Sequence, residues 1–324
     1  MRLAVLAVLL CATLLLPSCG DKSDAEPPLL ILDTDFASDA DDVGAVAVLH
    51  NLASQGRVNI LGMAVSSSNP WSVPCLQAVN AWFGRPEIPV GKAADGAVQD
   101  ESTYTRTVAE EFGRGSSEAP DAVQLYRQLL AAQADQSVTI VSIGYLSNLA
   151  KLLQSAPDAF SPLDGKELVR RKAVRLVCMG GQYPAGREWN FYQDAEAAAV
   201  VTADWPGAVV FVGFEIGKDI LTGASLSSLP EKHPLRRSYE LHNGLAGRPS
   251  WDQIAVHYAV ITAGGQQSKF WTPAQGRNSV LPDGSNRWLD EKGIAHVYLI
   301  QRGETADIVR HLEQLMLAAP EQVP

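Results

Sequence analysis

LLILDTDFASDADDVGAVAVLH, residues 29–50, is a run of four apolar residues, then ten residues holding five aspartates, then an Ala/Val-rich helical pattern. A short apolar run bounded by a polar turn reads as a buried strand, and the periodicity beyond it reads as a helix. The same grammar recurs along the chain. Leu29–Leu32, Val58–Val65, Val138–Ile143, Ala173–Cys178 and Ala208–Val212 are near-continuously apolar, as buried parallel strands are. Helical patterns over Val43–Ser54, Pro74–Phe83, Asp121–Ala134, Leu146–Gln154 and Ala195–Thr202 alternate with them. This alternation predicts an α/β fold with an open, mostly parallel, Rossmann-like sheet and helices on both faces. Two more helices are expected at Leu235–Ala246 and Trp251–Thr262. A Gly/Pro/Ser-rich region over 263–287 receives no element, and a late strand (Ala295–Ile300) and a helix (Thr305–Leu317) follow it. No linker or repeat interrupts residues 29–324, which are expected to form one domain.

Composition narrows the partners. The 324 residues are 46% hydrophobic and 19% charged, ample for a sizeable core. A formal net charge of −10 and the lack of any basic stripe argue against nucleic acid. Met1-Arg2 followed by LAVLAVLLCATLLL has the charged start and short apolar run of a secretory signal, too short to span a bilayer comfortably. Its end, Leu16-Pro17-Ser18-Cys19, resembles the bacterial lipoprotein box, with Pro17 as the departure; ordinary cleavage is the alternative. Residues 1–18 are therefore expected to be a signal peptide, Cys19 to carry the lipid, and 19–28 to be a polar, Pro-ended tether. That places the protein in a bacterial cell envelope, periplasmic or at the outer surface. Cys75 and Cys178 sit in apolar contexts and read as two buried, inert thiols; a disulfide between them is the alternative.

Ligands of open parallel sheets bind beyond the carboxyl ends of the strands. The segments there are DTDFASDADD, SSSNPW, GYLSN, MGGQYPAGREWN and GFEIG, all polar. In the first, Asp33, Asp35, Asp39, Asp41 and Asp42 would repel one another unless some protonate or a cation sits among them. A hard cation with oxygen ligands, Ca²⁺ or Mg²⁺, resolves the conflict, whereas helix capping accounts for one or two aspartates only. An EF-hand is excluded, because the central Gly and the terminal Glu are missing.

Ile31-Leu32-Asp33-Thr34-Asp35 resembles the opening of haloacid-dehalogenase-type phosphatases, but Phe36 and Ala37 depart from that pattern and a further DxDD has no place in it. The better resemblance is to the nucleoside hydrolases of the inosine–uridine type, whose longer opening motif Asp33 to Asp42 matches, with Ala37 in place of the usual Gly. Further landmarks follow in order: Asn69 in VSSSNPW, Gly144-Tyr145-Leu146-Ser147-Asn148-Leu149-Ala150, Met179-Gly180-Gly181, Arg187-Glu188-Trp189-Asn190, Asp194-Ala195-Glu196-Ala197 and Trp251-Asp252-Gln253-Ile254-Ala255. The resemblance covers roughly residues 29 to 262.

The resemblance implies Ca²⁺ held by Asp35, Asp42, Asp252 and the carbonyl of Ile143, with Asp35 as general base toward a metal-bound water. It also implies that Asp41, Asn69, Glu188 and Asn190 bind the sugar. Trp251 stands where most members have a His that serves the leaving base; it is expected to stack on substrate or to pack beside Asp252. His242 and His257 are the candidate replacement acids, each more readily read as an ordinary helix residue. Asp39 receives no role, and Asp33 is expected to orient the turn through backbone hydrogen bonds. Tyr145, Tyr183, Trp189 and Trp71 are equally readable as pocket or packing residues. The loop from Gly181 to Glu188 is short and lacks a match for the family's extra ribose-binding Asn. The expected function is Ca²⁺-dependent hydrolysis of the N-glycosidic bond of a ribonucleoside or related N-riboside. The alternatives are a non-catalytic ribose- or nucleoside-binding lipoprotein and, third, a phosphatase. A small nucleoside-like molecule and the lipid anchor are the expected partners, with room for a homo-oligomer.

Overall fold

The computed structural model describes residues 26–113 and 118–318. Strand β1 (Leu29–Thr34) enters the acidic turn and helix α1 (Asp41–Ser54) leaves it. There follow β2 (Asn59–Val65), α2 (Ser72–Trp82), β3 (Val90–Gly91), α3 (Thr105–Phe112) and α4 (Ala122–Ala131). The middle of the chain forms β4 (Val138–Ser142), α5 (Ser147–Gln154), α6 (Gly165–Lys172), β5 (Ala173–Met179), β6 (Ala185–Gly186), α7 (Trp189–Gln193), α8 (Ala195–Asp204) and β7 (Ala208–Val212). Next come α9 (Phe214–Gly217), β8 (Leu221–Thr222), α10 (Pro234–Asn243), β9 (Arg248–Pro249) and α11 (Trp251–Ile261). The hairpin β10 (Trp271–Val280) and β11 (Asn286–Leu289), then β12 (His296–Gln301) and α12 (Thr305–Leu317), complete it. Cys19 and the expected signal segment lie outside the described residues. No helix among the described residues is long and apolar enough to cross a membrane.

Ten strands make one sheet in the order β3-β2-β1-β4-β5-β7-β12-β10-β11-β6. From β3 to β12 the neighbours are parallel; β10, β11 and β6 add an antiparallel end. The expected mostly parallel α/β sheet is what forms. The chain steps outward from β1 to β2 and β3, then returns to lay β4 against the other side of β1. At such a reversal the connections leave in opposite directions, and a crevice opens at the strands' carboxyl ends. The acidic turn and Ile143 flank that crevice.

Alternation along each strand feeds two cores. Leu30 and Leu32 pack on one face with residues of α1, α2, α10, α11 and α12. Ile31 faces the other side, with residues of α4, α5, α6 and α8. Helix α1 is buried at every residue from Asp41 to Leu52 and packs on α11 and α12, as a helix apolar all round must. Cys75 and Cys178 are buried and unpaired.

The unassigned region 263–287 is corrected by the structure, since it contains β10. Its TPAQGRNS run has weak strand propensity, and pairing with β12 on one side and β11 on the other supplies what the local sequence lacks. Helices α3 and α6 also escaped the sequence pattern, being one-sided and short, with few buried residues.

Candidate active site

The turn after β1 is built by its own hydrogen bonds. Phe36 takes a left-handed φ of 45°, and its N–H donates to Asp42 Oδ1 at 3.2 Å. The Thr34 hydroxyl donates to the same oxygen. Ser67 Oγ donates to the Asp35 carbonyl at 2.7 Å, and Ser72 Oγ to the Phe36 carbonyl at 2.8 Å. The positive φ falls on Phe36 rather than on Ala37, so alanine is accommodated where the family motif has Gly. Gly144 closes the other side: a Cβ there would lie 2.3 Å from the Asp35 nitrogen, so only glycine lets the loop after β4 come this near. Helices α1 and α11 pack together and carry Asp41, Asp42 and Asp252 in their first turns, where the helix dipoles favour negative charge.

These elements wall a cavity of about 460 Å³. Asp35, Asp39, Asp41, Asp42, Asp252, Glu188, Asn190, Trp251 and Ile143 all line it, so most of the predicted site converges in one place. Burial, together with the charges of Asp39 and Asp100, pushes the Asp35 carboxyl up to about 8. Burial and mutual repulsion likewise hold Asp41, Asp42 and Asp252 well above the usual carboxylate range. Asp39 behaves differently: against burial, its contact with Asp41 and the charge of Arg248 keep it low. Oxygens of Asp39, Asp41 and Asp252 lie within 4.8 Å of one another, an arrangement that could hold a metal ion. The donors are all hard oxygens, and the single nearby Arg248 offsets only part of their charge, which suits a divalent cation of the Ca²⁺ or Mg²⁺ type.

The ion-pair geometry gives Asp39 a partner that sequence alone did not. Arg248 binds the Asp39 carboxylate and lies 3.7 Å from Asp41. Its guanidinium also sits 5.2 Å from the Trp251 ring centroid. Trp251 itself stacks on Phe214, centroids 5.3 Å apart, and its indole N–H donates to the Phe214 carbonyl at 2.7 Å. Glu188 caps α7, accepting from the backbone N–H groups of Asn190, Phe191 and Gly181, while burial raises its carboxyl to about 7. The Asn190 amide is thereby aimed at the carbonyls of Ile143 (3.4 Å) and Met179 (3.3 Å).

Several predicted residues are placed elsewhere. Asn69 does not line the cavity: its carbonyl oxygen accepts from the Trp71 N–H and its amide donates to the Asp100 carbonyl, both at 2.9 Å. The Asn-Pro pair in SSSNPW is a turn signal, and that signal is what the structure realises. His257 lies away from the cavity, its Nε2 2.9 Å from that of His311, whereas His242 does line it. Asp33 also lies outside the lining, bonded through its side chain to Tyr126 and Asn148 rather than to the turn. Tyr183 stacks on Tyr298 within the sheet's aromatic cluster, and Trp71 lies under Arg106. Tyr145 donates to Asp100 at 2.5 Å, and Trp189 lines the cavity mouth. Sequence reasoning missed Arg248, Arg187, Gln182, Tyr192 and Phe214. Arg248 precedes Asp252 by four residues and was within reach of the motif; the others come together only in the fold.

Set beside known proteins, this geometry finds its class. The family model of the inosine-uridine preferring nucleoside hydrolases matches residues 30–308, and the chain belongs to that family. It is 30% identical over 189 residues to the pyrimidine-specific ribonucleoside hydrolase RihA of Salmonella dublin, a match covering 53% of this chain and 56% of that protein. The chain thus spans little more than half the length of the curated relatives it matches. Two solved structures share the fold. A plant nucleoside hydrolase aligns with a TM-score of 0.68 at 18% identity, over 90% of this chain and 100% of its own. The inosine-uridine preferring nucleoside hydrolase of Bacillus anthracis aligns with a TM-score of 0.67 at 15% identity, over 89% and 99%. Family membership removes the phosphatase alternative.

Proposed function

We propose that this protein hydrolyses the N-glycosidic bond of a ribonucleoside or related N-riboside with Ca²⁺, lipid-anchored through Cys19 in a bacterial cell envelope. One observation carries the reading: in a chain of this family, buried carboxylates that cannot all ionise together line one cavity at the reversal of the strand order. By the family resemblance Asp35, Asp42, Asp252 and the Ile143 carbonyl would hold the ion; the carboxylates grouped within 4.8 Å in this structure, Asp39, Asp41 and Asp252, share only Asp252 with that set. When bound, calcium supplies compensating charge and makes water at the floor more acidic.

Asp35, ionised under that compensation, accepts a proton from water as the water oxygen adds to the anomeric carbon. The C–N bond breaks and its electron pair leaves with the base. Acidic groups facing the ring stabilise the positive charge that develops on the sugar. Asp41 accepts from a ribose hydroxyl, and Asn190, fixed by the Glu188 cap, meets the sugar from the far side.

The commitment of the Trp251 indole N–H to the Phe214 carbonyl favours a second reading, a nucleoside-binding lipoprotein without turnover, because that donor is not available to a leaving base. A nucleoside panel separates the two. Reducing-sugar release that disappears with EDTA and falls on the order of 10³-fold in Asp35→Asn supports the hydrolase. Saturable binding with no release across the panel supports the binding protein.

A further inference from the structure

The cavity has one wall that the residues discussed so far leave without a purpose. Strand β6 lies along β11, pairing Ala185 with Arg287 and Gly186 with Asn286, so the short loop after Gly181 is laid onto the β10–β11 hairpin. The hairpin tip closes through Leu281 and Ser285 and presses on α7: a Cβ on Gly284, whose φ is +79°, would lie 2.3 Å from the Tyr192 Cα. Arg187 is clamped between these two parts. Its Nε donates to the Asp283 carbonyl at 2.8 Å, and its guanidinium lies 4.2 Å from the Tyr192 ring centroid.

The Asp283 carboxylate accepts from the Ser285 hydroxyl at 2.6 Å and forms no ion pair with Arg187; that hydrogen bond, with a smaller contribution from the Arg187 charge, holds it below the usual carboxylate range. The two terminal nitrogens of Arg187 make no hydrogen bond or ion pair among the described residues, yet the side chain lines the cavity. Arg248, the other Lys or Arg in the lining, is engaged with Asp39. A cavity with so acidic a floor therefore presents, at its exposed edge, one cation whose terminal nitrogens are free of hydrogen bonds among the described residues and whose side chain is held by stacking and by its Nε bond. A planar fork held in this way is suited to an oxyanion, and binding one requires little further ordering of the side chain. Arg187 adjoins Glu188 and is three residues from Asn190, on the side of the cavity assigned to the sugar, whereas Trp251 and Phe214 come from α11 and α9.

We propose that Arg187 reads a phosphate monoester on the sugar of the substrate, so that the preferred N-riboside is a nucleoside monophosphate rather than a neutral nucleoside. The inference rests on the N-riboside reading above. Its test uses the full chain with Ca²⁺, the best nucleoside of the panel and its 5′-monophosphate. We expect the ratio of kcat/KM values, phosphate over neutral, to exceed about tenfold in the wild type, to fall toward one in Arg187→Gln and to be partly kept in Arg187→Lys. A wild-type ratio of one or less, or a ratio that Arg187→Gln leaves unchanged, overturns it. A preference for a base bearing a carboxylate, with none for the phosphate, overturns the sugar-side assignment. If neither compound is hydrolysed, calorimetry on the same pair decides alone. Tighter binding of the monophosphate that depends on Arg187 then upholds the anion site while the hydrolase reading falls, and equal binding ends both.

Discussion

Asp33 and Asp35 are two residues apart and both buried, yet they belong to different regions of the molecule. Asp33 points beneath the sheet, where Tyr126 Oη on α4 donates to its Oδ2 at 3.0 Å and Asn148 Nδ2 on α5 does so at 3.1 Å. Burial raises it to about 7 even though these donors work to lower it. Asp35 lies over the sheet's end, raised to about 8 by burial and then by other acids. A buried acid among neutral donors ties elements together, while a buried acid among like charges calls for a cation. The same DxD pattern thus serves the fold at its first position and, under the proposed function, the chemistry at its third.

The comparison breaks most sharply on activity. Asp35→Asn is expected to lower kcat/KM on the order of 10³-fold, with no drop in the thermal midpoint of the EDTA-treated protein, because the metal-free acid, raised to about 8, is already largely neutral at pH 7 and the amide replaces it at equal size. A midpoint several degrees lower would mean that Asp35 holds the fold as Asp33 does.

Calcium gives the next largest effect. Added at about a hundred times its dissociation constant, it should stabilise the wild type by about 2.7 kcal/mol, read as a rise in thermal midpoint over the EDTA-treated sample. Asp252→Asn should lose that rise without starting from a lower midpoint. Equal rises in both proteins would remove Asp252 from the ligand set.

Beneath the sheet the signs reverse. Asp33→Ala leaves the Tyr126 hydroxyl and the Asn148 amide without this acceptor and should lower stability by about 1–3 kcal/mol in urea unfolding. Its kcat/KM should stay within about threefold of wild type. Loss of activity at unchanged stability would move Asp33 into the site.

This division was only partly legible in the sequence. The alternation of Val/Ile/Leu runs with helical patterns carries the parallel sheet, because burial on both faces imposes it on every central strand. The acidic turn carries the floor, since five charges in ten residues need compensation whatever the fold. The partners could not be read. Tyr126 meets Asp33 from 93 positions away, and Arg248 meets Asp39 from 209. The β10–β11 hairpin that fixes Arg187 has little strand propensity, and only the Pro282-Asp283-Gly284 turn at its tip announces it. Asn69 shows the opposite case: its turn chemistry is legible locally in SSSNPW, and the structure engages its side chain in that turn.

The smallest expected effect sharpens the comparison most, because it reports the charge on Asp33. Tyr126→Phe removes one donor and leaves Asn148. The folded pKa of Asp33, about 7, lies above its unfolded value of 3.8, so its protonated form favours folding: that contribution is complete below pH 4 and is lost as pH rises through 7. A hydroxyl donating to the ionised carboxylate tempers the loss, and removing it moves the folded pKa further up. At pH 5, where Asp33 is protonated in the folded protein, the substitution should cost about 0.5 kcal/mol; at pH 8, where the wild-type carboxylate is ionised, about 1.5. Urea unfolding at the two pH values measures the difference. A cost that is the same at both would show that the hydroxyl does not bear on the charge, and Asp33 would then be a packed acid rather than a hydrogen-bonded tie between β1 and α4.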